Sequence, residues 1–122
     1  MKKTVNEIVS VLTDEQQQVL KDCIKYGSWG DGDYEFVDEN GKIETGRMWG
    51  YYTNNAKDGG HFTGRKVSGL FRGIYNRLCS KEYGNKIGEV ISHCTNWWGD
   101  GSGDMLFIRN ECVDEFENWA RQ

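Results

Sequence analysis

Residues 61–79 read His61-Phe62-Thr63-Gly64-Arg65-Lys66-Val67-Ser68-Gly69-Leu70-Phe71-Arg72-Gly73-Ile74-Tyr75-Asn76-Arg77-Leu78-Cys79. Val67, Leu70, Phe71, Ile74 and Leu78 recur at helical spacing and form one apolar stripe. That stripe predicts a helix over 63–79 with Thr63 as its N-cap. At about 100° per residue, Arg65, Gly69, Arg72 and Asn76 fall on the opposite face. Gly69 and Gly73 each cost such a helix about 1 kcal/mol relative to Ala. Two readings of these glycines stay open: close approach of a partner, or a neighbouring element packed tightly there.

On the N-terminal side, Val5, Ile8, Val9 and Leu12 predict a short helix. Thr13 with Gln16 three residues on has the spacing of a capping box. The helix it opens should bury Val19, Leu20, Cys23 and Ile24, and stop at Gly27 in a left-handed C-cap. Tyr34-Glu35-Phe36-Val37 is strand-like, Asn40-Gly41 is a hairpin signal, and 42–49 would return as the partner strand. Thr53 or Asn54 could cap a short helix that Gly59-Gly60 breaks. On the C-terminal side the reading is a polar loop over 80–86, a strand over 87–95 and a Gly/Asp turn over 96–103. A strand over 105–108 and a helix over 111–120 follow. The order describes one α+β domain over residues 1–122, without linker or low-complexity tract. Trp29-Gly30-Asp31-Gly32 and Trp98-Gly99-Asp100-Gly101 echo one another, each expected just before a strand.

The whole chain carries a net charge of −4 and 13% aromatic residues, too apolar for a disordered chain. The charge is unevenly spread. Residues 57–86 hold seven basic against two acidic residues, a net of +5, while 1–56 carry −4 and 87–122 carry −5. A basic island on an acidic body is the pattern of a polarised phosphate binder, and the bland reading is a solvated helix face. No apolar run approaches a membrane span, and the N-terminus has no signal-peptide core. A cytosolic location is therefore expected, where Cys23, Cys79, Cys94 and Cys112 stay reduced and pack as small hydrophobes.

The segment 61–71, with Thr63-Gly64-Arg65 opening an apolar stripe, resembles the recognition helix of small winged-helix proteins of the helix-turn-helix superfamily. The resemblance covers about 13–108 in element order. It implies a winged-helix-like α+β fold, with helices around a small antiparallel sheet, and double-stranded DNA as partner. The long helix would enter the major groove and a later hairpin, the wing, would touch the backbone. Carried over, Arg65, Arg72 and Asn76 would read bases, since Arg suits guanine and Asn adenine. Lys66, Arg77, Lys81 and Lys86 would hold phosphates, with Thr63 and Ser68 in the same interface. The function implied is that of a small bacterial or phage transcription regulator. The wing candidate at 96–104 departs from the family pattern, with Asp100 and Asp104 and no basic residue.

That departure favours a second class, a protein-binding module. A phage or mobile-element accessory protein could present an acidic face to a host nucleic-acid-handling or defence complex. Trp97, Trp98, Asp100 and Asp104 are then the partner-binding residues, or the tryptophans simply pack on the core. A homodimer could form through the first or last helix, or both could cover the core. Asp31-x-Asp33-x-Glu35 and Asp100-x-x-x-Asp104 lack the spacing of a calcium loop and read as turn residues. There is no GxGxxG, Walker A or HExxH motif, and neither His61 nor His93 has a partner at catalytic spacing. No catalysis, cofactor or metal is expected.

Overall fold

Two capping boxes open the chain. Thr4 and Glu7 close one at the start of α1, Val5–Val9, and Thr13 and Gln16 close the other at the start of α2, Asp14–Tyr26. In the second, the Gln16 amide N–H donates to the Thr13 hydroxyl, and the Thr13 N–H donates to Gln16 Oε1 at 2.9 Å. The computed structural model describes residues 4–38, 40–53, 64–82, 85–88, 90–94 and 105–122, and for 64–68, 80–82 and 85–87 the backbone alone. The other elements are β1 (Ser28–Val37), β2 (Ile43–Tyr52), α3 (Gly64–Leu78), β3 (Ser80–Glu82), β4 (Asn85–Ile87), β5 (Ile91–Cys94) and β6 (Met105–Arg109). A 3-10 turn, Asn110–Cys112, leads into α4, Val113–Ala120.

The described strands form one six-stranded antiparallel sheet in the order β1-β2-β6-β5-β4-β3. The architecture is α+β. On one face, Tyr51, Ile91, Leu106 and Ile108 meet the helices in the main core. Val19, Leu20, Cys23 and Ile24 come from α2, Phe71, Ile74 and Tyr75 from α3, and Phe116 and Trp119 from α4. Leu20 and Ile74 are fully buried, and each contributes about 2 kcal/mol of hydrophobic stabilisation. The apolar residues of the first and last helices, Val5 and Val9 and then Phe116 and Trp119, are buried in this same core.

The opposite face holds a second cluster of Phe36, Met48, Met105 and Phe107, although no described helix packs on it. The sheet buries this cluster by rolling. Strands β1 and β5 stand three places apart in the sheet, yet the Ser92 hydroxyl donates to Glu35 O at 3.0 Å. Val37 N–H donates to Gly88 O at 3.1 Å, just beyond β4. Tyr34 then stacks on Phe107 at 4.0 Å between ring centroids. Glycines in β2 make the curvature sterically feasible. A Cβ on Gly46 would collide with the Phe36 ring, and one on Gly50 would crowd Phe107 at 3.2 Å.

The hairpin predicted at Asn40-Gly41 joins β1 to β2. Gly41 adopts φ 80°, and the Asp38 carboxylate accepts from the N–H groups of Asn40 and Lys42 at 2.9 Å. Several expectations need correction. Gly27 has φ −99° and is not left-handed; a Cβ there would meet Cys23 O and Tyr52 O, so it is a close-approach glycine between α2 and β2. The first Trp-Gly-Asp-Gly copy lies inside β1, where the register shift between Ser28 and Gly30 marks a bulge at Trp29. Residues 80–86 are not a plain loop, because β3 and β4 pair with each other and β4 extends the sheet from β5. The one strand expected over 87–95 is accordingly split, with Ile87 ending β4 and Ile91–Cys94 returning antiparallel as β5. The second Trp-Gly-Asp-Gly copy and the short helix expected after Thr53 lie outside the described residues.

Candidate nucleic-acid interface

Helix α3 spans fifteen residues, about 22 Å. Its inner side is fixed by Phe71, Ile74 and Tyr75, buried against α2 and β5, where Tyr75 stacks on the His93 ring at 3.6 Å. Its outer side is the one the angular argument predicts: Gly69, Arg72 and Asn76 are exposed. Position 65 shares that side by helical periodicity, the four positions spanning about 60° of arc. The β1–β2 hairpin packs on β6 and rolls toward β4 and β5. The described helices and strands that hold α3 in place are thus on its inner side.

The two helical glycines part company here. A Cβ on Gly73 would collide with the side-chain amide of Gln16, the residue that closes the α2 capping box. Gly73 therefore answers to a tightly packed neighbour. A Cβ on Gly69 would meet nothing within 4 Å.

The remaining expected contacts divide as follows. Arg65, Lys66 and Ser68 lie in the first turns of α3. The Arg77 guanidinium donates to Val11 O and ties the end of α3 to the link between α1 and α2, so one of its N–H groups is committed to the fold. Lys81 and Lys86 stand opposite one another in the register of the β3–β4 hairpin, which follows α3 after a single residue. Thr63, Trp97, Trp98, Asp100 and Asp104 lie outside the described residues.

Sequence reasoning missed a clasp at the other end of the sheet. Asp31 and Asp33, alternate residues of β1, both accept from Arg47 on β2, and Asp31 also accepts from Asn110 Nδ2 at 2.9 Å. The Asn110 and Arg47 bonds hold the Asp31 carboxyl below its usual range. The signal was there in the alternation of Asp31 and Asp33, which places both on one face of a strand. Asp31, Asp33 and Glu35, expected as turn residues, thus lie within strand β1, where the strand ladder holds them extended, and the first two are ion-paired with Arg47. Among the described residues no three His, Cys, Asp or Glu side chains gather as a metal site, and no helix is long and apolar enough to cross a membrane. None of the four cysteines forms a disulfide, and complete burial holds the Cys23 thiol far above its ordinary pKa.

Comparison with protein-family models, with curated proteins and with solved structures finds no match to this chain.

Proposed function

We propose that the chain binds double-stranded DNA through the outer face of α3, in a winged-helix-like arrangement, as a small cytoplasmic transcription regulator. The observation that carries this reading is the exposed strip of Gly69, Arg72 and Asn76 on a helix whose other side is locked into the core. Arg72 and Asn76 are one helical turn apart, and Arg and Asn are the side-chain types that suit guanine and adenine edges in a major groove. The hairpin that directly follows α3 bears Lys81 and Lys86. Like charges opposite one another in a strand pair are unfavourable alone and are relieved by an anion, which a phosphate backbone supplies. The basic hairpin thereby takes the wing's role that the acidic 96–104 segment was unsuited to fill.

The test is fluorescence anisotropy of a labelled duplex library at low salt. The wild type should bind, and Arg72→Ala with Asn76→Ala should lose about 2–5 kcal/mol on a preferred sequence, with a smaller loss on random duplex. Absence of binding at low salt overturns the reading.

A protein-binding module is the second reading, and the bulge in β1 favours it. Trp29 there is 59% exposed, and Tyr26, three residues before it at the end of α2, is 50% exposed. Exposed aromatic residues of this kind anchor protein interfaces. A stable partner whose capture is insensitive to the Arg72/Asn76 variant and lost on Trp29→Ala would favour that reading.

A further inference from the structure

A cleft of about 220 Å³ opens between α1, the last turn of α3, the start of β5 and the first turn of α4. Its walls include Val5, Ile8, Leu78, Ile91 and Phe116. Ile8 and Leu78 are only partly buried, and Val11 at the cleft is 50% exposed. The described residues thus leave a concave apolar surface uncovered, which an apolar body would remove from water. An apolar protein cavity of about 150 Å³ accommodates benzene, so the space fits one ring with a short polar tail.

The charged groups of the cleft decide the sign of that tail. Arg109 is paired with Glu111 at 3.2 Å and lies over the Phe36 ring at 3.9 Å. Arg77 is held by Val11 O. Glu7 is engaged with the Thr4 hydroxyl at 3.1 Å. Glu115, exposed in the first turn of α4, makes no hydrogen bond or ion pair among the described residues. The Arg109–Glu111 pair is closed on itself, with its guanidinium on the Phe36 face of the sheet, which leaves the Glu7 and Glu115 carboxylates against the one guanidinium of Arg77. Of these two carboxylates only Glu115 makes no hydrogen bond or ion pair among the described residues.

We propose that this cleft binds a small organic cation with an apolar body, of the arylalkylammonium class, its ring against Ile8, Leu78 and Phe116 and its ammonium on Glu115. The site is separate from the outer face of α3, and its test does not depend on DNA binding. The full chain, labelled with nitrogen-15, is titrated with phenethylammonium and, separately, with 3-phenylpropionate, which offers the same ring with the opposite charge. The ammonium should give saturable shifts at the amides of Ile8, Leu78, Ile91 and Glu115, and bind about tenfold more tightly than the carboxylate. Glu115→Gln, an exposed substitution that leaves the fold intact, should remove most of that preference. Ile8→Trp, which fills the cleft, should abolish the shifts; if that variant does not fold, the Glu115→Gln arm decides alone. Absence of saturable shifts in wild type overturns the proposal. So does equal or tighter binding of the carboxylate, or a preference that Glu115→Gln leaves unchanged.

Discussion

Asp31 is held by two donors from different parts of the chain, Arg47 on β2 and Asn110 in the turn before α4. Both bonds favour the ionised carboxylate and lower its pKa in the folded state. The linked stability is complete above the unfolded value of about 3.9 and is lost as pH falls through the lower folded value. Urea midpoints of wild type and Asp31→Asn should differ by a constant amount from pH 7 to pH 5. They should converge below about pH 4. A gap unchanged at pH 3 would show that the carboxylate's charge is not what matters. At this scale the outward residues of α3 were legible, because Gly69, Arg72 and Asn76 follow from helical angles alone. The Arg77 bond to Val11 was not, because it joins residues 66 apart in sequence and no local pattern encodes it.

Helix α3 carries a testable asymmetry between its glycines. Replacing Gly69 by Ala removes a backbone-entropy cost of about 1 kcal/mol and introduces no contact, so the melting temperature should rise by about 4 °C. The added methyl also stands on the proposed DNA face and should weaken binding. Replacing Gly73 displaces the Gln16 amide and with it the α2 capping box, worth about 1 kcal/mol. Gain and loss should nearly cancel there. Calorimetry on the two variants checks both outcomes, and equal stabilisation would contradict the packing described for Gln16. Elements with their own periodicity and caps, α2 and α3, were readable from the sequence. Strands β3 and β4 were not. Their residues are polar apart from Ile87 and do not alternate, and the pairing of β3 with β4 and of β4 with β5 puts them in the sheet. The roll of the sheet was equally hidden, since the need for Gly46 and Gly50 arises only when Phe36 and Phe107 fold over them.

Over the whole molecule, the net charge of −4 resolves into a basic middle segment between two acidic flanks. The described part of that middle segment is α3 with the hairpin that follows it, while the first flank holds the hairpin where Asp31 and Asp33 share the one guanidinium of Arg47. Such a body should bind duplex through a limited set of phosphates instead of coating it indiscriminately. The central claim, a DNA contact confined to α3 and its hairpin, is tested most directly by the salt dependence of duplex affinity. Each neutralised phosphate contributes a slope of about −0.9 to log K against log salt, so four contacts give about −4. The account predicts a slope near that value in the wild type, reduced by about 2 in Lys81→Ala with Lys86→Ala. A slope near zero, or one the lysine variant leaves unchanged, would contradict it.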